Sequence, residues 1–524
     1  MNGESSSGWK AATVVAVIMG LVLAGVVYVL MDSRAQDLVD ELAAVTSTTE
    51  TPETTAGSTT SVETTEVADT TAADTTDDST IGSIDDELSE MFEDALGEDG
   101  GALLDELIEG GGDGGLGGMA GGLDPNVMEC LNPGAMNFGS EGDIPEGDPA
   151  TQVKAIAQLV AEDRGISSDE DLDIEFATRE EVARRVRQLT EEDLDPEVVD
   201  YQTRLYTSLG AIPGERDIAE IQLDALDAAV GGFYDPETGE LVIGSEEIDA
   251  LGALVVAHEV QHAVADDVLG LPDLEAIDEN QGGDAAQAAL ALVEGDASLI
   301  SQQFMMEHMS FEDLIEVTMT SMETTGALGD IPHHVRRLLE FPYLEGLGYV
   351  CGLTLEGGWE QVDAVYDAPP ETTAEVLFPE RQSLEVVDVP DPKAPQGWTE
   401  VGSDTFGAAE LMFLLEAPGG DTEAALPEPR QRVESWAGGE VTVWASGEDT
   451  AMALRFAEGE GPTDLCSTMT EFYAAAFPGA EATGPDTDSI LEGGSGVGRV
   501  TCDEGTVTLG IAPDAETVRF ITDG

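Results

Sequence analysis

Beyond Thr151 the apolar residues fall into two rhythms. VKAIAQLVAE and EEVARRVRQL carry them at the period of an amphipathic helix, and LDIEF between them reads as a strand. VGGFYDPETGELVIG reads as a β-hairpin, with Phe233 and Tyr234 before a Pro-Glu-Thr-Gly turn and Leu241 to Ile243 after it. Residues 248–268 form a long apolar helix that Gly270 and Pro272 bring to an end. Helical patterning continues to about residue 380, and Pro and Gly breaks from 385 mark a domain boundary. After it GGEVTVWAS, MALRFAE and GTVTLGIA read as strands and CSTMTEFYAAAF as a helix. The pattern predicts an α+β protein. A mainly helical domain with a small sheet occupies 150–385, and a smaller α/β domain occupies 386–524.

The first 149 residues are patterned differently. Ala11 to Leu30 is an uncharged apolar run whose helix would span about 30 Å, the thickness of a bilayer core. Lys10 precedes it and Asp32, Asp37, Asp40 and Glu41 follow it, so 1–10 is expected in the cytoplasm and the rest outside. A cleaved signal peptide is the competing reading. The run is long for one, and no small-x-small site follows directly. Residues 31–149 read as a stalk. Its 46–80 stretch is rich in Thr and acids and too poor in large apolar residues to offset its ordering entropy. Residues 84–108 suggest two short acidic amphipathic helices, and GGGDGGLGGMAGG is a flexible break.

Charge and cysteines narrow the setting. The net charge is −90, which excludes non-specific nucleic-acid binding and disfavours docking on an anionic lipid surface. Such a surface suits a salty exterior and equally suits plain solubility. Cys130, Cys351, Cys466 and Cys502 fit an oxidising exterior. Cys466 with Cys502 and Cys130 with Cys351 is the preferred pairing of the three possible, and free buried thiols are the alternative.

Two of the five histidines stand in VVAHEVQHAV. His258 and His262 are one helical turn apart, so both imidazoles reach one face and converge on a single ion. Glu259 flanks that face, placed for a water rather than for the ion. This is the H-E-x-x-H pattern of metal-assisted hydrolysis. A charged trio in so apolar a helix is costly unless paired or metal-bound. Glu294, in QAALALVEGDASLI, is the candidate third ligand, because it is the only charge between Asp284 and Asp296. Asp284 with Gln287 reads as a capping box at the start of that helix. Gly295, within a helix, marks close approach of another backbone, expected to be that of the His258–His262 helix.

HEVQHAV followed by LVEGDAS resembles the gluzincin group of zinc metallopeptidases, which includes thermolysin and the alanyl-type aminopeptidases. In the latter the third ligand lies in an N-E-G-x-A stretch on a later helix, and Glu294-Gly295-Asp296-Ala297 matches E-G-x-A. The resemblance implies a Zn2+ cofactor held by His258, His262 and Glu294, with Glu259 as general base and a peptide or protein as substrate. The GGFYDPETGELVIG hairpin resembles the sheet edge along which such enzymes bind an extended peptide. PPETTAEVLFPERQ looks like a run that follows the core in bacterial gluzincins of unassigned activity. The likeness covers 150–385, with its specific motifs confined to 258–297.

Two departures matter. The interval from His262 to Glu294 is longer than in the aminopeptidases, so their exopeptidase specificity does not carry over. Thermolysin has an aspartate four residues after the third ligand, and here that position is Ser298. Asp296 and Asp266 are the alternative supports for a ligand histidine. In gluzincins a Tyr or His on a later segment commonly stabilises the oxyanion. The candidates are Tyr343, Tyr349, His333 and His334. Tyr343 is preferred because it follows a Phe-Pro entry into an apolar helix, with a core tyrosine as the plainer reading. His308 reads as a surface residue.

The expectation is a membrane-anchored, extracytoplasmic zinc metallopeptidase. The rival is a non-catalytic cell-surface binding protein with a vestigial or structural zinc site. A structural site would want four protein ligands, and it would leave Glu259 without a role.

Overall fold

The computed structural model describes most of residues 147–523, together with Val15–Ala16 and Cys130; the longest internal stretch left out is 318–330. The predicted cytoplasmic segment, anchor and stalk therefore lie almost wholly outside the described residues. Val15 and Ala16, inside the predicted anchor, form a short strand β1. Among the described residues no helix is long and apolar enough to cross a membrane.

Local sequence sets most helix starts. In α1 (Pro149–Arg164) the Asp148 side chain caps Thr151 N and Pro149 sits in the first turn, where its missing N–H costs nothing. Thr178 caps α2 (Arg179–Asp193) through Glu181 N, and Asp195 caps α3 (Pro196–Ser208) through Glu197 N. After α4 (Ile218–Ala229), the predicted hairpin forms from β3 (Gly232–Asp235) and β4 (Glu240–Ile243). Strand β2 (Asp173–Phe176) adds to β4 in parallel, and β1 pairs antiparallel with β3, giving the order β1-β3-β4-β2.

Four helices build the centre. Asp249 caps α5 (Ala250–Val268) through Gly252 N, and every residue of α5 from Ala250 to Ala265 is buried. A helix apolar on all sides has to be enclosed. The short α6 (Leu274–Gln281) leads into α7 (Gly283–His308), buried over nearly its whole length, and α8 (His333–Gly357) crosses it. Helices α9 (Trp359–Tyr366) and α10 (Thr373–Leu377) close this part.

Two details differ from expectation. Helix α7 begins at Gly283, one residue ahead of the predicted cap. Asp284 does not cap it; its carboxylate turns to the Thr373 N–H and hydroxyl, and Gln287 donates to the Leu338 carbonyl. Pro342 does not open a helix but lies inside α8, where it removes one backbone donor.

The C-terminal part is a seven-stranded sheet with α11 (Ala408–Glu416), α12 (Leu465–Ala476) and α13 (Ala515–Asp523). Its strands are β5 (Thr399–Thr405), β6 (Trp436–Ser446), β7 (Asp449–Glu458), β8 (Glu481–Thr483), β9 (Ile490–Gly493), β10 (Gly496–Asp503) and β11 (Thr506–Ala512). All pairings are antiparallel in the order β5-β6-β7-β11-β10-β9-β8, so this region is α+β rather than an alternating α/β layer. One hydrophobic cluster joins it to the helical part, running from Tyr201 and Leu205 through Ala288 and Phe341 to Phe413, Val441 and Leu509. Cys130 and Cys351, and Cys466 and Cys502, lie at disulfide distance, with Cα separations of 5.6 and 5.9 Å.

Candidate metal centre

Helices α5 and α7 pack against each other and bring the predicted trio together. His258 Nε2 stands 3.1 Å from Glu294 Oε2, and His262 Nε2 stands 3.4 Å from the same oxygen. The two imidazole centroids are 4.6 Å apart, as the one-turn spacing requires. One ligand atom from each of the three residues falls within 4.8 Å of the others, and all three are buried. His262 Nε2 closes no hydrogen bond, nor does His258 Nδ1.

The electrostatics suit a cation. Burial pushes the His258 imidazole down to about 4, against the hydrogen bond to Glu294 that favours its charged form. Burial would raise Glu294, but His262 and His258 together hold its carboxyl down to about 2. Neutral imidazole and ionised carboxylate are the forms a metal needs. A buried nitrogen without a partner, a second imidazole and an anionic oxygen together match the N/O donor set of zinc. Among the described residues this group has no fourth ligand.

Glu259 is fully buried beside the trio, and neither carboxylate oxygen has a hydrogen-bond partner. Burial first, then the nearby Glu294 charge, pushes its carboxyl well above the usual range; the Tyr234 backbone amide opposes this without closing a bond. Strand β3 lies directly against α5 here. A Cβ on Gly232 would come within 2.9 Å of Val255 Cγ1 and 3.8 Å of Glu259 Cγ, which is why the hairpin opens on glycine.

Tyr343 on α8 is buried, its ring 6.0 Å from that of His258 and inclined at 27°. The other oxyanion candidates are engaged elsewhere. His333 pairs with Glu416 at 2.9 Å, and Tyr349 packs on the main hydrophobic cluster. His334 packs at a tilt of 51° against Tyr206, with ring centroids 4.8 Å apart. His308 is not a free surface residue, because its Nε2 binds Asp163 Oδ2 at 3.0 Å. With Glu307 these two form a second group of close ligand atoms. It lies about 20 Å along α7 from Glu294 by helical rise.

The close approach at Gly295 is real, but its partner is α8. A Cβ on Gly295 would stand 2.2 Å from the Gly346 carbonyl oxygen. Gly346 lies one turn beyond Tyr343 on the same helix, so this crossing is what delivers Tyr343 to His258.

Neither aspartate considered as a support for a ligand histidine acts as one. Asp266 accepts from the Tyr234 hydroxyl at 2.8 Å and ties α5 to β3. Asp296, fully buried, accepts from Arg164 Nε at 2.9 Å, Gln261 Nε2 at 3.0 Å and the Tyr366 hydroxyl at 2.9 Å. It braces α7 against α5, α1 and α9. Gln261 and Arg164 were not singled out from the sequence. The available signal was a lone polar residue between Glu259 and His262, and an arginine ending a helix.

Comparison of the chain with protein-family models, curated proteins and solved structures finds no match.

Proposed function

We propose that the protein is a metal-dependent hydrolase of the zinc-peptidase type, carried on the outer side of a membrane by its 11–30 segment. The observation that carries this reading is the convergence of His258, His262 and Glu294 with a buried, unbonded Glu259 beside them. A structural site has no use for that fourth residue, and an uncompensated buried carboxyl is costly to keep. Zinc held by the trio would supply a Lewis acid for the carbonyl and a water acidified toward about pH 7. Glu259 takes the proton from the attacking water and passes it to the leaving amine. Tyr343 donates to the developing oxyanion.

The test incubates the zinc-loaded full chain with a proteome-derived peptide library, and new termini are read by mass spectrometry. Wild type should cut, and Glu259→Gln should bind zinc as well but not cut. Equal cleavage by Glu259→Gln would overturn the assigned base. No cleavage by folded, zinc-loaded wild type would favour the binding-protein alternative.

A further inference from the structure

A second polar site lies where α7 meets the C-terminal sheet, and it owes nothing to the metal trio. A cavity of about 40 Å³ opens between α3, α7, β5 and α11, with Asp284, Gln287, Asp404 and Glu410 in its walls. That is room for about three waters. No lysine, arginine or histidine lines it among the described residues. The nearest cationic candidate is His334, whose Nε2 stands 3.8 Å from Glu410 Oε1.

Asp404 and Glu410 are each held through one oxygen, and Asp284 through both, since its Oδ2 also accepts from the Thr373 N–H at 3.3 Å. Asp404 Oδ1 accepts from the Gly283 N–H at 3.1 Å and the Thr405 N–H at 2.7 Å. Asp284 Oδ1 accepts from the Thr373 hydroxyl at 2.5 Å, and Glu410 Oε1 from the Tyr206 hydroxyl at 2.8 Å. Gln287 donates its amide to Leu338, which leaves Oε1 buried and without a partner. Such an orphan acceptor is expensive unless something binds it. The electrostatics agree. Burial, with Glu410 adding to it, raises both Asp284 and Asp404 to about 7, and Asp278 adds further to Asp404. Asp284 and Asp404, with no lysine, arginine or histidine paired to them, must either hold protons or gather a cation.

We propose that this cavity binds a hydrated divalent cation of the Ca2+ class through Asp284, Asp404, Glu410 and the Gln287 amide oxygen. All the donors are oxygen, the preference of a hard cation. Among the described residues these carboxylates are not one of the groups of three whose ligand atoms lie within 4.8 Å of one another, so retained water completes the shell. That arrangement suits Ca2+, which tolerates irregular shells and retained water, better than a tightly chelated transition metal. Bound there, the ion ties β5 to the helix that carries Glu294.

The test titrates Ca2+ into the full chain at about pH 8, following heat of binding and thermal unfolding. It runs in parallel on His262→Ala, which lacks a ligand of the other site, so failure of the zinc reading leaves this result unaffected. The expected result is saturable binding and a rise in Tm in both proteins. Asp404→Asn should weaken Ca2+ at least about tenfold and raise the Tm of the ion-free protein. Gln287→Glu should bind Ca2+ more tightly and be less stable without it. Absence of saturable binding would overturn the proposal. So would an equal Tm rise with Na+ at matched ionic strength, or an undiminished Ca2+ effect in Asp404→Asn, since either would be screening of an acidic surface.

Discussion

Gly295 and Gly346 face each other across the α7–α8 crossing with no room for a methyl group on either. A Cβ on Gly346 would stand 2.2 Å from the Ala291 carbonyl oxygen, as close as the reciprocal approach from Gly295. The atoms in the way are backbone and cannot rotate aside, so Gly295→Ala must part the helices. The expected cost is about 1–3 kcal/mol or more. Because Glu294 is the adjacent residue, zinc affinity should fall with stability. Gly352→Ala is the control on the same helix. A Cβ there meets nothing within 4 Å, so helix propensity should make it neutral or stabilising by about 0.5–1 kcal/mol. Thermal unfolding and zinc titration of the three proteins check this; an unchanged Gly295→Ala protein would mean that the crossing is not tight.

Stability should depend on pH through the C-terminal cavity when no divalent cation is present. Asp284 and Asp404 have folded values near 7, raised by burial above an ordinary value of 3.8. Between about pH 4 and pH 7 the folded state holds protons that the unfolded chain has released. Stability therefore falls as pH rises through that window and levels off above it. Asp404→Asn should flatten the slope, and unfolding by urea at a series of pH values would show it. A slope that is unchanged in Asp404→Asn would assign the dependence to other groups.

These two cases also mark how far the sequence could be read. The His258–His262 spacing was legible because one helical turn is local geometry, and Glu294 because a lone charge in an apolar helix needs a partner. Gly295 signalled close approach correctly, yet nothing local says which backbone comes close, and it is Gly346 rather than α5. Asp284 has the sequence of a helix cap, but Thr373, far along the chain, claims its carboxylate. Strand β5, TEVGSDT, has no apolar run to announce it, because its side chains are exposed or half-buried. The cavity depends on that strand, so it was out of reach.

Tyr343→Phe separates the hydroxyl from the ring. The ring that stacks on His258 remains, so zinc affinity should hold. Loss of an oxyanion donor typically costs about 10²-fold in kcat with little change in KM. Steady-state kinetics on a substrate from the peptide library would measure both. An unchanged kcat would leave Tyr343 as packing and move the donor role elsewhere.

Arg164 and Asp296 form the ion pair on which the helices around the site converge. Both side chains are fully buried, and Arg164 also reaches Asp363 at 2.7 Å and lies 4.3 Å from the centre of the Trp359 ring. Arg164→Met leaves Asp296 charged in an apolar interior with only the Gln261 and Tyr366 donors. Breaking one side of such a pair costs about 3–5 kcal/mol. Asp296→Asn removes the charge but retains an acceptor, so it relieves part of the damage done by Arg164→Met. The double variant should thus be more stable than the sum of the singles predicts, by about 0.5–3 kcal/mol. Gln261 adjoins His262, and Asp296 lies two residues past Glu294, so each single variant should also weaken zinc by shifting α7 against α5. A purely additive cycle with unaltered zinc affinity would mean that the pair holds up the fold without positioning the ligands.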